Sequence, residues 1–379
     1  MAHHGGTGAP GADEPGRHTR WRRWPVAAAA ALIMLVTAGC GASSSPSPPS
    51  SPRPGPGPLE ATPNAPAVAG EAHGTGSRSD VSGGALFGGN AALAAEESRL
   101  GRKLAIVRDY YKVGQSFPTP KDSSIMASGS TLLVSLDTKP NGPAYASIVA
   151  GHYDATIKAF LVALNRAAIR YHLPAIYFAF EHEADLRAHH HGLGTPAQFV
   201  QAWDHVHKLA QSAHLNWTDG GRIHWVWDLS YQAFVPRADL SPRARQQGAA
   251  AEYWPGSNEV DIVAADGYET YGCPNQPPGQ VRTASYLFGP VIKFAHQHGG
   301  LPVFIPEWGA TSFPTSQWQT LFIRQMQAFI TANPEIAAVL YWDSPGHHTH
   351  CNFTINANPA SVAAMARIGR SRALQGHVG

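Results

Sequence analysis

Charge is scarce in this chain. Asp, Glu, Lys and Arg make up 14% of its 379 residues and leave a net charge of +2, so nothing in the balance points to nucleic acid. No basic run stands inside the part that reads as folded. Cysteine is scarcer still, with Cys40, Cys273 and Cys351 as the only three. One apolar run, Val26 to Val36, stands near the N-terminus. It is too short to span a bilayer, which takes about 20 apolar residues. No Gly-x-Gly-x-x-Gly follows an early strand, since "GALFGGN" (Gly84 to Asn90) lacks the spacing, which disfavours an open dinucleotide-binding sheet. The zinc-protease pattern His-Glu-x-x-His is missing too, because Leu186 occupies the second histidine position after His182-Glu183.

What is present begins with a targeting segment. Arg20, Arg22 and Arg23 precede the apolar run, a charged region followed by a short apolar one, as in an export signal. The run closes on "VTAGC", ending at Cys40. Small residues directly before a cysteine resemble a bacterial lipoprotein cleavage box, which implies a lipid on Cys40; Thr37 departs from the Leu, Val or Ile usual at its place. Residues 1–40 are therefore expected to direct export to the cell surface or beyond and to end in a lipid anchor, with plain secretion as the alternative. Residues 41–79 are dominated by Ser, Pro, Gly and Ala and cannot bury enough apolar surface to fold, so they read as an extended tether. With Cys40 in the anchor, Cys273 and Cys351 remain as an even pair in an oxidising compartment, and a disulfide between them is expected.

Residues 80–379 alternate strand-like apolar runs with amphipathic stretches. The runs are "GALFGG", "LAIVRDYY", "TLLVSLDT", "AIYFAF", "IHWVWDLS", "VDIVAADGYE", "LPVFIPEWGA" and "AAVLYWDS". Helices are expected over 91–103, 153–171, 195–214, 283–298, 316–331 and 361–368, with at most a short helix between the second and third runs. A long irregular segment follows the fifth. Eight strand–helix units in roughly 290 residues predict an α/β fold of the (β/α)8 TIM-barrel type, with an open doubly wound sheet as the alternative.

In such a barrel the active site lies at the C-terminal strand ends. The fourth strand there ends in Glu183 and the seventh in Glu307, with Trp227, Asp228, Asp266, Tyr268, Trp342 and Asp343 at the fifth, sixth and eighth. Burying carboxylates costs several kcal/mol unless a site compensates them. Two glutamates across a bowl of aromatic faces suit glycoside hydrolysis, in which one carboxyl protonates the leaving oxygen and the other attacks the anomeric carbon.

The ordered set also resembles glycoside hydrolase family 26, the β-mannanases and related β-glycanases, from about Gly84 to the last helix. The matching motifs are His182-Glu183, "YWPGSNEVDIVAADGY" from Tyr253 to Tyr268, and Glu307-Trp308-Gly309; "GTPAQFVQAWDHVH" and "WVW" also look like the family's fourth helix and fifth strand. The resemblance implies Glu183 as acid/base, Glu307 as nucleophile, Tyr268 bonding the nucleophile, and His182 setting the acid/base geometry. The sequence departs from the family after the glutamate, where Ala184 and Asp185 replace Met-Asn, and at Ala179, where the family carries an arginine.

Trp227, Trp254, Trp308, Trp342, Tyr110, Tyr111 and Asp266 are candidate substrate contacts, though each aromatic could equally pack the barrel top. Glu183 and Glu307, taken singly, could be structural ion-pair partners. Glu181 lies deeper and reads as a hydrogen-bonding support without a catalytic role. The histidine runs at 189–191 and 347–350 read as solvated loops, so no metal and no cofactor are expected. The expectation is thus a monomeric, retaining endo-β-glycanase acting on a polysaccharide such as β-1,4-mannan, membrane-associated only through its lipid. A catalytically silent glycan-binding barrel and a zinc-dependent hydrolase are the alternatives.

Overall fold

The computed structural model describes residues 80–379 apart from 91–92, 139–142, 187–191, 242–243, 247, 274–280, 313–315 and 346–350. The export segment, the tether, Cys40 and the two histidine runs lie outside the described residues.

Between a short first strand, β1 (Val81–Gly84), and a last one, β10 (Leu374–Val378), eight parallel strands close into a barrel. They are β2 (Leu86–Gly89), β3 (Ile106–Lys112), β4 (Thr131–Asp137), β5 (Ile176–Phe180), β6 (Ile223–Ser230), β7 (Ile262–Glu269), β8 (Val303–Ala310) and β9 (Ile336–Tyr341). Each pairs with the next, and β9 returns to β2. The fourth and seventh strands of the sequence reading are β5 and β8. Parallel barrel strands are covered on both faces, which is why β6 and β8 are buried at every position. Alternate residues then feed two cores. Leu86, Ile106, Leu133, Tyr177, Val226 and Phe304 fill the interior, while Phe178, Trp203, Trp225 and Phe288 pack between strands and helices. Each such side chain contributes roughly 1.5–3 kcal/mol through burial.

The helices are α1 (Leu93–Leu100), α2 (Pro120–Ala127), α3 (Tyr145–Val149), α4 (Asp154–Arg170), α5 (Pro196–Gln211), α6 (Tyr231–Phe234), α7 (Ala284–Gln297), α8 (Ser316–Ala332) and α9 (Pro359–Gly369). Local chemistry sets their ends. Thr195 caps α5 by accepting from the Gln198 N–H, with Pro196 at the first helical position; α7 starts at the Thr283 cap and is followed by Gly299 at φ 97°. Gly88 is required by close packing, since a Cβ there would stand 2.1 Å from the Ile106 carbonyl oxygen.

The sequence reading took Gly84 to Gly89 as one strand, but the chain breaks at Ala85. Val81 to Gly84 instead pairs antiparallel with Leu374 to Val378, from the far end of the chain. Val81 and Val378 of this ribbon pack against the interior core, so it closes the floor of the barrel. The stretch between the second and third runs carries one short helix, α2; the irregular segment after the fifth run carries α6 and short 3-10 turns, and α3 precedes α4. Cys273 and Cys351 are joined in a disulfide, Cα atoms 5.3 Å apart, tying the segment after β7 to the one after β9.

Candidate active site

The site is built upward from β3. Ile106 points into the interior core, so Arg108 and Tyr110, two and four residues on, share its face. Arg108 has no exposed side-chain surface. Its Nη2 donates to Asp228 Oδ2 at 2.8 Å and to Ser135 Oγ at 3.2 Å, and its Nη1 to Asp266 Oδ1 at 3.1 Å. Its Nε lies 3.5 Å from Glu307 Oε1. Burial opposes the guanidinium charge, but Asp266, Tyr110, Asp228 and Glu307 together hold its pKa well above the ordinary value. Burial likewise pushes Asp266 well above the carboxylate range, against the pull of Arg108.

Glu307 reaches this cluster through an irregularity. Ile305 pairs with Val339 of β9, but Trp308, three residues on, pairs with Tyr341, only two on. The extra residue in β8 is a bulge, and bulges re-aim side chains. Glu307 turns into the bowl while Trp308 faces outward onto Phe322. Tyr268 donates its hydroxyl to Glu307 Oε2, and Tyr110 donates to Oε1. Burial, joined by the Glu307 charge, raises both phenols well above their usual range, so both remain donors. Glu307 thus accepts two hydroxyls beside a guanidinium, an environment made of donors.

Glu183 stands on the turn after β5. His182 Nδ1 lies 2.9 Å from Asp137 Oδ1, and its ring packs on Tyr110 with centroids 5.3 Å apart. The Glu183 N–H donates to the Asp228 carbonyl at 2.9 Å. Burial comes first among the causes that raise Asp266 and Tyr268, and the Glu183 charge also contributes at both. The Glu183 charge is thus close enough to be felt at both Asp266 and Tyr268. Trp342, half-buried, stands edge-on to Tyr110 at 5.8 Å and completes the wall with Tyr268, Phe353 and the disulfide.

Several expected substrate contacts lie elsewhere. Trp227 alternates with inward-facing Asp228, so it points out of the barrel; it is fully buried, stacks on Phe294 and donates Nε1 to the Tyr253 carbonyl. Trp254 packs on Trp227, Phe294 and His298 in that outer layer. Trp308 is fully buried against Tyr341 by the same bulge that frees Glu307. Tyr111 faces out toward Phe117 and Phe160 and bonds Asp122. Asp266, 1% exposed, is spent on Arg108 beneath the bowl. Tyr110 and Trp342 remain as the aromatics at the mouth, and Tyr110 does more than line it. Arg108 was missed, although an arginine two residues after an inward isoleucine in "LAIVRDYY" is a visible signal. Ala179, where the resemblance expects an arginine, faces the interior in register with Ser135, the hydroxyl that Arg108 reaches.

Among the described residues no group of three His, Cys, Asp or Glu is placed to hold a metal ion. The arrangement offers an anchored carboxylate, Glu307, beside the rings of Tyr110, Tyr268 and Trp342, with Glu183 on the turn after β5.

No protein-family model and no curated protein matches the sequence. Solved structures do match the fold. A family 26 β-mannanase from Bacteroides ovatus is 14% identical, with TM-score 0.55 over 78% of this chain and 91% of its own. GH26C from a Muricauda species is 13% identical, with TM-score 0.57 over 77% of this chain and 86% of its own. An endo-β-1,4-mannanase from Cellulomonas fimi is 15% identical, with TM-score 0.51 over 77% and 71%. The fold is similar to that of the family 26 β-mannanases. The strand-end bowl of this barrel gathers the buried side chains of Arg108, Asp228, Asp266 and Glu307.

Proposed function

We propose that the chain is a retaining endo-β-glycanase that hydrolyses β-1,4-mannan or a related β-glycan. The observation that carries this reading is Glu307, held at the strand ends by Tyr110, Tyr268 and Arg108; Glu183, on the turn after β5, supports it. Glu307 attacks the anomeric carbon as the glycosidic C–O bond breaks, and Glu183 gives its proton to the departing oxygen. Water then attacks the glycosyl–Glu307 ester, Glu183 takes the proton back, and Glu307 is released with the anomeric configuration retained. His182, fixed by Asp137, orients the acid/base side, and Trp342 offers a stacking face to a sugar ring. The two carboxylates need no cofactor for these steps. The enzyme works as a monomer outside the cell, and residues 41–79 tether it to a lipid on Cys40; mass spectrometry of the mature N-terminus tests that anchor.

Reducing-end release is measured on mannan, β-1,3-xylan, mixed-linkage glucan and arabinogalactan. Release from one of them, with NMR of the first-formed product showing retention, is the expected result. Glu307→Ala abolishes turnover on every substrate. Glu183→Ala spares the first step on aryl glycosides whose leaving group needs no proton. Binding without release by the wild type would favour the silent glycan-binding alternative, and an inverted product would remove the mechanism.

A further inference from the structure

The turn that carries Glu183 adopts an uncommon conformation. Glu181 and Glu183 have φ of 53° and 52°, in the left-handed region that side-chain-bearing residues seldom occupy. Two such residues in alternate positions persist only when the surroundings over-determine them. Here the surroundings are two strand ends. On one side the end of β4 takes hold: the Thr138 N–H donates to the Glu181 carboxylate, which also accepts from the Tyr145 hydroxyl of α3 at 3.4 Å, and Asp137 engages His182. On the other side the end of β6 takes hold. The Asp228 carbonyl accepts from the Glu183 N–H, Asp185 Oδ1 accepts from the Ser230 N–H at 2.8 Å, and Asp185 Oδ2 accepts from the Ser230 hydroxyl.

The two carboxylates that flank the turn are 0% and 1% exposed. Burial pushes Asp185 up to about 6, against the Ser230 bonds that hold it down. An apolar residue would avoid that cost, as Ala184 between them does within the outer core. Their placement matches a local task, since Glu181 Oε1 and both Asp185 oxygens are directed at strand termini adjoining the Glu183 turn.

We propose that Glu181 and Asp185 are positioning residues, a pair of buried carboxylate anchors that stretch the Glu183 turn between β4 and β6 and so aim the acid/base. The proposal rests on the glycosidase reading above. It also gives a role to Asp185, one of the residues at which this chain departs from the family pattern.

The test uses aryl β-glycosides of the sugar that the wild type cleaves, with 2,4-dinitrophenol or plain phenol as leaving group. A displaced acid/base slows the first step only where the leaving group needs its proton, and a displacement of about 1 Å can cost roughly 100-fold. Asp185→Ala and Glu181→Ala should each lower kcat/KM, which reports the first step alone, by that order on the phenyl glycoside and less than about 3-fold on the dinitrophenyl glycoside. Asp185→Asn and Glu181→Gln keep an acceptor oxygen and recover most of the loss. Thermal melts accompany each variant. Should the alanine variants fail to fold, Ser230→Ala removes one of the Asp185 bonds and must lose rate with the same leaving-group dependence. Equal losses on both leaving groups, or no loss on either, overturn the positioning role while the glycosidase reading stands. A wild type inert on every glycoside overturns that reading first, and this one with it.

Discussion

Arg108 and Asp228 form an ion pair 2.8 Å long with neither side chain exposed, and Glu307 rests on the same guanidinium. The pair joins β3 to β6 across the barrel interior, so the charge that faces Glu307 cannot swing away. A surface pair would give little at such a distance. A buried one is costly to form and costlier to break, because the partner left behind is an unpaired charge out of water.

Arg108→Met should therefore destabilise the fold by about 3–5 kcal/mol, with Asp228 and Asp266 stranded beneath the bowl. Arg108→Lys keeps the charge but loses the planar fork that reaches Asp228, Ser135 and Asp266 together, and should fall between the two. Urea denaturation at neutral pH measures both. A loss for Arg108→Met within the error of the wild type would mean that the cluster does not depend on its cation.

Tyr268→Phe removes one hydroxyl donor from Glu307 and leaves the ring against Phe353, centroids 4.7 Å apart. A hydrogen bond to a charged group contributes about 1.5–3 kcal/mol, so kcat should fall roughly 10- to 100-fold with KM little altered. Tyr110→Phe should act in the same direction through the other oxygen. Steady-state kinetics on the substrate found by the screen decide it, and an undiminished kcat in both variants would take the tyrosines out of the machinery.

Stability should fall as pH rises from about 4.5 to about 7, and Glu96 supplies part of the slope. Burial first, then the charge of Asp343, raises Glu96 from 4.5 to about 7, with Arg99, 2.7 Å away, opposing the shift. A carboxyl raised in the folded state stabilises in its protonated form. That contribution is complete below the unfolded value and is lost as pH climbs through the folded one. The range is at most about 3 kcal/mol. Glu96→Gln stays neutral and should flatten this part of the curve. Melting temperatures at half-unit pH steps would count against the assignment if wild type and variant ran parallel.

The barrel was legible because its pattern is local: each strand is an apolar run bounded by a helix with its own caps, as at Thr195 and Thr283. The floor ribbon was not. "LQGHV" is short and interrupted by Gly376, and its partner Val81 to Gly84 lies at the other end of the domain. Glu183 and Glu307 could be picked out as candidates because carboxylates closing apolar strands need an explanation. The aromatic candidates went astray over direction. "WVWDLS" sends Trp227 and Asp228 to opposite faces, and that alternation was available from the sequence. The β8 bulge was not, since it arises from register against β7 and β9 rather than from any residue within the strand.

That bulge separates two tryptophans that look equivalent in sequence, and their substitutions should separate likewise. Trp308 has no exposed surface and packs against Tyr341 at 4.8 Å and Phe322 at 6.3 Å. Trp342 is half-buried, edge-on to Tyr110, with its N–H bonded to the Trp308 carbonyl at 2.9 Å. Removing a buried tryptophan costs about 3–5 kcal/mol, so Trp308→Ala should lower the melting temperature strongly and lose activity only through the fold. Trp342→Ala keeps the backbone bond and empties one wall of the bowl. An aromatic face on a sugar ring contributes roughly 0.5–1.5 kcal/mol, which predicts a 2- to 10-fold higher KM with a small change in melting temperature. Kinetics and melts on the two variants together make the comparison. If Trp342→Ala instead melts as low as Trp308→Ala and leaves KM where it was, Trp342 is a packing residue and the sugar is gripped elsewhere.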